Sequence, residues 1–482
     1  MNNAFKVKTK DLLGRLGEMR TKSGSFETPT LAPVISVSGG PLSAKEIKDM
    51  GFDLVITNAY LWMRKGESRD IHSILDVSGP IMTDSGAYQL LVYKSVDTTN
   101  EEIIRFQERI NTDIGVVLDT PTGMVSEGEA RRTVENTIKS EQEALNLISN
   151  NEIIWTAPIQ GGTYRSLLTE MVEAAAAMDY PLYALGSPTP LMEGHMYSKL
   201  FEVLYSVRMM LPPHKPLHLF GAGHPSIFSF AVALGADTFD SAAYALFAKE
   251  GRYMTVMGSE KIENLKEFPC SCPVCTTYKP SELLTMDKKE RERLLAKHNL
   301  YVSLAEIKTI RNAISQGKLW DLVESRARAS PELWEVFKNF GLYSRGFLYH
   351  TQVRNPGARG FSVIDSDSAQ RPELLWHLES IKRLLDSESE VTITTRYFAN
   401  KAPSGAYIAG FPFVVTKKSL LKVYPVYFAK YNQPNHDEEI TFLKERLPAL
   451  LKEKDVRVIG DAELAKALKE LGLSVSFESV ET

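Results

Sequence analysis

The chain has 482 residues, enough for about two to four domains of ordinary size, and its 43% hydrophobic and 24% charged residues exclude a disordered or fibrous protein. The formal net charge of −4 excludes a histone-like or basic-arm mode of nucleic-acid binding, although a local basic face can still attract phosphates. No apolar run approaches the ~20 residues of a membrane span, and three cysteines are too few for a disulfide scaffold, so we expect a cytoplasmic protein with no membrane partner.

Eight short apolar runs, rich in β-forming residues, follow one another between Thr28 and Tyr244. They read TPTLAPVIS, DLVITNAY, GPIMTDSGAY, IGVVLDTPTG, IIWTAPIQGG, YPLYALGSP, PLHLFGAG and ADTFDSAAY. Intervening segments such as EEIIRFQERI and YRSLLTEMVEAAAAM repeat apolar residues at the i, i+3 and i+4 positions of amphipathic helices. Strands that alternate with helices predict an α/β fold with a parallel sheet, and eight such units close a (β/α)8 TIM barrel.

An open, doubly wound sheet is the alternative fold for this alternation of strands and helices. Such a sheet normally carries a GxGxxG phosphate loop after its first strand. Here the first run continues as ISVSGGPLSAKE, which lacks that spacing, so the sequence favours the barrel.

Composition sets the predicted domain boundaries. We expect a catalytic barrel over residues 1–260, a zinc-binding subdomain over 261–330 that completes the barrel, and a linker over 331–345. The remaining residues, 346–482, mix β-rich runs such as EVTITTRYFA with helical segments such as EEITFLKERLPALLKE. This region is predicted to be a smaller α/β or α+β domain, and its role is open.

The predicted strands end in polar or small residues, and in barrels of this kind the chemistry lies at the carboxyl ends of the strands. These residues are Asn58, Asp84, Ser85, Asp119, Gln160, Gly186, Ser187, Gly221, Asp240 and Ser241. A single Asp at such a place is as often a helix N-cap or part of an Asx-turn. Three carboxylates and a carboxamide at four strand ends together favour a reaction centre.

The residue types at these strand ends indicate which reaction the site could catalyse and which ligand it could bind. Two carboxylates without a metal motif suit acid–base and nucleophilic work at an acetal-like carbon, as in retaining glycosidases. A further Asp beside a Gln suits a planar, donor-rich heterocycle, because a carboxylate accepts two parallel N–H bonds from a guanine edge. Tyr88 and Phe220 would sandwich that ring, although aromatic residues at such positions more often belong to the core. The set predicts a site that holds a purine-like base and attacks its sugar.

The three cysteines predict a metal site. Cys270, Cys272 and Cys275 form C-x-C-x-x-C in FPCSCPVC, and His298 follows in LLAKHNL. The chain has no other cysteine, so an accidental cluster of buried thiols is the weaker interpretation. Three thiolates and one imidazole make a closed tetrahedral shell without an open position for water, which predicts one structural Zn²⁺ per chain.

Several of these motifs resemble those of one family, the tRNA-guanine transglycosylases. They are TDSGAYQ, VVLDTPTG, IQGG, YALG, HLFGAGHP, DTFDSAAYALFAKEGRYMT and FPCSCPVC with its later histidine. The resemblance covers about Phe5 to Arg328, roughly two thirds of the chain, and FDSAAYALFAK and FPCSCPVC are most similar to the archaeal, archaeosine-forming branch. That branch replaces guanine at position 15, in the tRNA D-loop, by 7-cyano-7-deazaguanine (preQ0). The resemblance therefore implies a pentosyltransferase that uses tRNA, guanine and preQ0.

The resemblance also implies a role for each residue of the predicted site. Asp240 in FDSAAY is the implied nucleophile, which forms a covalent ribosyl intermediate, and Asp84 in TDSGAYQ is the implied general acid and base. Sequence alone does not decide which of these two carboxylates has which role. The implied contacts to the base are Ser85, Tyr88, Asp119, Gln160, Gly186, Ser187 and Phe220.

Full-length archaeal members of the family end in an RNA-binding PUA domain, and nothing after Arg345 resembles it. We therefore expect tRNA binding to depend on a separate PUA-domain protein or on a homodimer. Three other functions stay open. They are queuine-type exchange at the anticodon wobble position or in DNA, a non-catalytic RNA-binding subunit of a transglycosylase pair, and an unrelated barrel hydrolase of small glycosides. The presence of both Asp84 and Asp240 argues against the second, and the zinc motif has no evident place in the third.

Overall fold

The computed structural model describes residues 4–87, 98–350, 360–365 and 367–480. The chain divides into two compact units, Met1–Phe337 and Lys338–Thr482. Across the described ranges, no helix is both long enough and apolar enough to cross a membrane.

The first unit begins with a three-stranded antiparallel sheet of β1 (Phe5–Asp11), β2 (Gly14–Thr21) and β3 (Gly24–Thr28). This sheet is joined to the amino-terminal end of the barrel by a buried ion pair between Arg15 and Asp237. Arg15 Nε donates to Asp237 Oδ1 at 2.8 Å, and its Nη2 donates to Oδ2. The guanidinium also donates to two backbone carbonyls, so all of its charged face is hydrogen-bonded, as a buried charge requires.

Eight parallel strands close a barrel, and the predicted TIM-barrel fold is confirmed. The strands are β4 (Thr30–Ile35), β5 (Val55–Asn58), β6 (Ile81–Asp84), β7 (Ile114–Val116), β8 (Ile154–Ile159), β9 (Leu182–Leu185), β10 (Leu217–Leu219) and β11 (Thr238–Ser241). Neighbouring strands pair in sequence order, and β11 closes the ring by pairing with β4. Each strand arises from one of the eight apolar runs.

Alternation along the strands decides where the barrel is apolar and where it is polar. Ile56 and Met82 point into a core that is shared with Ile114, Ile154 and Leu182. Two residues further along their strands, on the same inward face, the side chains are Asn58 and Asp84. The change from apolar to polar residues at the carboxyl ends therefore puts a polar layer on top of a packed core.

Helices cover the outside of the barrel between consecutive strands and after the last one. They span Ala44–Asp49, Ala59–Arg64, Ile71–Leu75, Asn100–Arg109, Glu127–Leu147, Arg165–Ala177, Thr189–Glu193, Tyr197–Met210, Phe228–Ala233 and Ala243–Lys249. Three of them begin at capping boxes, in which a Ser or Thr hydroxyl and a Glu three residues later satisfy backbone N–H groups reciprocally. Local sequence therefore fixes the start of these helices.

After the barrel, a hairpin of β12 (Arg252–Thr255) and β13 (Gly258–Lys261) leads into a helical segment. Its helices span Pro273–Thr277, Pro280–Thr285, Lys288–Gln316, Leu319–Ala327 and Pro331–Lys338. The longest begins at the N-cap Asp287 and ends at Gly317, whose φ of 66° suits glycine. It is tied to the barrel by Arg311, which donates to the carbonyl of Pro29 at 2.8 Å.

The last of these helices, Pro331–Lys338, lies within the segment that composition predicts as a linker. Its Phe337 ring contacts the buried Trp320, with 5.5 Å between ring centroids. The predicted domain boundaries stay predictions.

The described strands of the second unit are β14 (Phe361–Val363), β15 (Glu390–Thr395), β16 (Tyr407–Gly410), β17 (Val414–Lys417), β18 (Ala429–Tyr431), β19 (Asp455–Ile459) and β20 (Ser474–Glu478). Five of them form a mixed sheet in the order β17-β16-β15-β19-β20. The helices of this unit are Ser344–His350, Pro372–Asp386, His436–Arg446, Pro448–Leu451 and Ala462–Glu470. Within the five-stranded sheet only β16 and β17 pair antiparallel, and β14 and β18 form a separate parallel pair. The unit is thus an α/β domain.

Candidate active site

Most of the predicted base- and sugar-binding residues gather at the carboxyl ends of the barrel strands. Asp84 ends β6 and Ser85 follows it, Asp119 lies three residues after β7, and Gln160 directly follows β8. Gly186 and Ser187 follow β9, Phe220 follows β10, and Asp240 lies within β11. Tyr88 falls outside the described residues. The structure therefore brings the eight other predicted residues to one mouth.

The surroundings of Asp84 bring the pKa of its carboxyl group close to neutral pH. Its Oδ2 accepts a hydrogen bond from Asn58 Nδ2 at 3.0 Å, and the backbone N–H of Gly86 also donates to the carboxylate. Desolvation, with the negative charges of Asp119 and Asp240 added to it, raises the pKa of Asp84 to about 7. Gly86 has a φ of 91°, and a Cβ there would overlap Tyr60, so the turn requires glycine.

Asp240 has a different hydrogen-bond environment. Its Oδ1 accepts from the backbone N–H of Gly221 at 2.8 Å and contacts His218 Nε2 at 3.1 Å. Gly221, with a φ of 58°, makes the left-handed turn after β10 that aims its N–H at the carboxylate. Among the residues that the structure describes, no donor contacts Oδ2 of Asp240. Within the described residues, both side-chain contacts of the Asp240 carboxylate therefore go to Oδ1.

His218 lies two residues before Phe220, on the same inward face of β10, and is not among the residues predicted from the sequence. The one available signal was a polar residue in the apolar run PLHLFGAG. Phe220 itself is half-buried, and its ring meets the His218 ring edge-on, with 4.8 Å between centroids. Its exposed part is therefore available to a ligand in the mouth.

Asp119 and Gln160 form one buried hydrogen-bonded unit. Gln160 Nε2 donates to Asp119 Oδ2, while its Oε1 accepts from the N–H of Thr122 and from Ser187 Oγ, both at 3.0 Å. Two donors on Oε1 decide which way the carboxamide points. Burial raises the pKa of Asp119 to about 6. Above that pH the unit presents a carboxylate whose orientation is set by its neighbours.

Gly186, after β9, and Ser85, after β6, complete the polar layer at the mouth. A Cβ on Gly186 would overlap the carboxamide of Gln160, so only glycine lets the backbone after β9 pass this close. The Oγ of Ser85 is buried and has no hydrogen-bond partner within the described part of the chain. A buried hydroxyl without a partner is a group that a bound ligand would satisfy.

Cys270, Cys272, Cys275 and His298 form a second cluster, outside the barrel mouth. Their four ligand atoms all lie within 4.8 Å of one another, and His298 Nδ1 lies 3.5 Å from Cys272 Sγ and 3.3 Å from Cys275 Sγ. A tetrahedral ion with metal–sulfur bonds of about 2.3 Å requires neighbouring sulfurs about 3.8 Å apart. The cluster therefore fits one metal ion with four protein ligands.

The surroundings of His298 orient it as a metal ligand. Its Nε2 contacts the carbonyl of Met254 at 2.9 Å, which directs Nδ1 toward the three sulfurs. The Tyr253 ring stacks on the imidazole with 3.7 Å between centroids. The next residue, Asn299, accepts a hydrogen bond at its Oδ1 from the Met254 N–H, with 2.9 Å between the two atoms. The cluster thus joins the β12–β13 hairpin to the long helix Lys288–Gln316.

Comparisons with known proteins agree with this arrangement. A family model described as queuine tRNA-ribosyltransferase matches residues 10–332.

Three archaeal relatives, each named tRNA-guanine(15) transglycosylase, are similar over most of their length. The relative from Aeropyrum pernix is 43% identical over 392 residues, 80% of this chain and 76% of that protein. The relative from Sulfolobus acidocaldarius is 40% identical over 386 residues, 79% and 77% of the two chains. The relative from Methanosarcina mazei is 38% identical over 472 residues, 92% and 95% of the two chains. On this similarity and on its barrel, the chain belongs to the tRNA-guanine transglycosylase family of ribosyltransferases.

Proposed function

We propose that this enzyme replaces the guanine at position 15, in the tRNA D-loop, by 7-cyano-7-deazaguanine through a covalent ribosyl bond to Asp240. The observation that carries the proposal is the pair of carboxylates at one mouth, Asp84 and Asp240, with unlike hydrogen-bond partners. The position is supported by the name of the relatives, tRNA-guanine(15) transglycosylase. The incoming base is supported by the archaeal motifs of the sequence.

Asp240 is the proposed nucleophile because its carboxylate is stabilised by hydrogen-bond donors and leaves one oxygen free for attack. In the first half-reaction its Oδ2 forms a bond to the ribose C1′ while the bond from C1′ to guanine N9 breaks. The bonding electrons leave with the guanine, which takes a proton from the acid form of Asp84. The result is a ribosyl ester of Asp240, a carboxylate at Asp84 and an uncut phosphate backbone.

In the second half-reaction Asp84 acts as the base and recovers a proton from the incoming base. The Asp84 carboxylate takes the N9 proton of the incoming base, whose N9 attacks C1′ as the ester bond to Asp240 breaks. A group that gives a proton in one half and takes it in the other works best when its pKa lies near the working pH. The pKa of about 7 at Asp84 supports its assignment to this role.

Asp119 and Gln160 are proposed to read the base. Guanine and 7-cyano-7-deazaguanine share an amide N–H and a neighbouring amino group, and a carboxylate accepts both in parallel. Because Gln160 donates to Asp119 and is itself held by Thr122 and Ser187, the acceptor is oriented before a base arrives. Ser85, Gly186, Ser187, Phe220 and Tyr88 are the further proposed contacts to the base.

Asp119→Asn is expected to lower kcat/KM for guanine and for 7-cyano-7-deazaguanine at least tenfold. The variant puts an amide donor opposite a donor edge, and a buried polar group without a partner costs ~1–3 kcal/mol. The measurement is steady-state incorporation of each labelled base into tRNA. Asp179→Asn is the control, since Asp179 has a 73% exposed side chain before β9, at the opposite end of the barrel. Unchanged kinetics at Asp119→Asn would remove this residue from the base site.

The metal cluster is proposed to hold one structural Zn²⁺. Its four protein ligands leave no open position, so zinc would shape the segment after the barrel and take no part in base exchange. Cys272→Ser is expected to lower metal content from one Zn²⁺ per chain to near zero, and to lower the melting temperature and the affinity for tRNA together. Binding of free base should change much less.

The zinc prediction is checked by elemental analysis, thermal unfolding and tRNA binding on the same preparations. Wild-type protein stripped by a chelator and reloaded with Zn²⁺ is the control, and reloading should restore both stability and tRNA affinity. A purified protein without metal, or a stripped protein that keeps its full stability and affinity, contradicts the proposed role.

Incubation with labelled guanine and tRNA, followed by mapping of the exchanged nucleotide, tests the function. Label at position 15 supports the proposal, while label at the wobble position or in DNA supports a queuine-type exchange. No label at all would favour a non-catalytic subunit. The homodimer, the separate PUA-domain partner and the cytoplasmic location remain part of the proposal.

A further inference from the structure

The His218 side chain, on β10, lies between two polar side chains of β11, those of Thr238 and Asp240. Its side chain is 0% exposed. Nδ1 of the imidazole lies 2.9 Å from Thr238 Oγ1, and Nε2 lies 3.1 Å from Asp240 Oδ1. The parallel register of β10 and β11 puts His218 directly opposite Thr238, so both contacts follow from the strand pairing.

The contacts determine which ring nitrogen carries the proton. An ionised carboxylate only accepts hydrogen bonds, so Nε2 must donate to Asp240. With the ring proton on Nε2, Nδ1 can accept from the Thr238 hydroxyl, which can donate. This arrangement gives a partner to both ring nitrogens and to the Thr238 hydroxyl.

We propose that His218, oriented by Thr238, is a positioning residue that fixes the rotation of the Asp240 carboxylate. With the N–H of Gly221, it puts two donors on Oδ1 and so leaves Oδ2 as the oxygen that meets C1′. Without His218 the carboxylate keeps one donor and turns more freely about its Cβ–Cγ bond. A reacting group that must be aligned loses rate when this alignment is lost. The inference rests on the proposed role of Asp240.

His218→Phe and His218→Gln separate positioning from packing. Phenylalanine fills the buried space without a donor, whereas glutamine offers an amide N–H near the place of Nε2. We expect His218→Phe to lower kcat about 100-fold. KM for the free base should change much less than kcat, because Asp119 and Gln160 do not contact His218 and phenylalanine keeps an aromatic ring beside Phe220. We expect His218→Gln to recover at least about tenfold of that loss. A merely structural residue would lower stability and base binding in both variants alike.

Thr238→Val and Thr238→Ser test the orienting hydroxyl. Valine keeps the shape but removes the donor to Nδ1, so we expect about a tenfold lower kcat, whereas serine should stay near wild type. In ¹⁵N-histidine NMR of the wild-type protein, with His218 assigned from the His218→Gln spectrum, Nε2 should carry the proton and Nδ1 should not. This measurement stands even if His218→Phe or a Thr238 variant fails to fold.

Two results would overturn the inference: a kcat of His218→Phe within threefold of wild type, or a neutral His218 protonated on Nδ1. Adduct formation in Asp240→Asn is measured alongside. If Asp240→Asn is inactive while His218→Phe is fully active, only the positioning role fails. If Asp240→Asn still forms the adduct, the proposed function fails as well.

Discussion

Asp240→Asn is expected to lower the rate of base exchange by at least about 1,000-fold and to abolish the covalent tRNA adduct. An amide is a poor nucleophile, and it does not carry the negative charge that stabilises an oxocarbenium-like ribose. The shape of the side chain and the donors from Gly221 and His218 would remain, so the loss reports chemistry rather than packing. Denaturing gel electrophoresis of enzyme with labelled tRNA, with the incoming base withheld, measures the adduct.

Asp179→Asn serves as the control for Asp240→Asn and should behave as wild type. Its φ of 54° lies in the left-handed region that asparagine tolerates well. An adduct of undiminished yield in Asp240→Asn would move the nucleophilic role to Asp84.

The second large effect concerns Asp84. Asp84→Asn is expected to slow exchange by ~100-fold or more, since general acid–base catalysis is worth about that much. In the wild-type enzyme the rate should be highest near pH 7 and fall on both sides, because Asp84, with its pKa of about 7, must serve in both protonation states. Asp84→Asn should lose the fall in rate above pH 7, whereas a fall below about pH 6, where Asp119 takes up a proton, should remain. The measurement is single-turnover exchange from pH 5 to pH 9.

The same substitution is expected to stabilise the fold, which separates a catalytic defect from a folding defect. The pKa of Asp84 is raised in the folded state, so the native carboxyl holds its proton over a range where the unfolded one is ionised. Stability is therefore lost as the pH rises from about 4 to about 7. Asp84→Asn should gain ~1–4 kcal/mol in free energy of unfolding above pH 7 and nothing below pH 4. A variant that is inactive and less stable at pH 8 would contradict this account.

The barrel and its polar mouth could be predicted because both follow from local pattern. Each apolar run became one strand, and parallel strands in a barrel bring their carboxyl ends to one face. For that reason Asp84 and Asp240, 156 positions apart in the sequence, could be predicted to share a site. The metal cluster could be predicted for a similar reason, since Cys270, Cys272 and Cys275 lie on one short segment.

The difference between the two carboxylates could not be predicted, because it depends on which groups the fold aims at each oxygen. Gly221 and Gly86 donate through backbone N–H groups, which every residue type except proline has. His218 was missed because a lone histidine in an apolar run is usually a core residue. Its contacts to Thr238 and Asp240 come from the register of β10 against β11, which the sequence does not reveal.

The most direct test of the account is to identify the residue that carries the ribosyl group. Enzyme and tRNA are trapped without incoming base, digested with nuclease and protease, and analysed by peptide mass spectrometry. The account predicts a ribosyl-phosphate mass on the peptide that contains Asp240, chased away on addition of 7-cyano-7-deazaguanine. A modified peptide that contains Asp84 instead, or a trapped complex without any covalent mass, would contradict it.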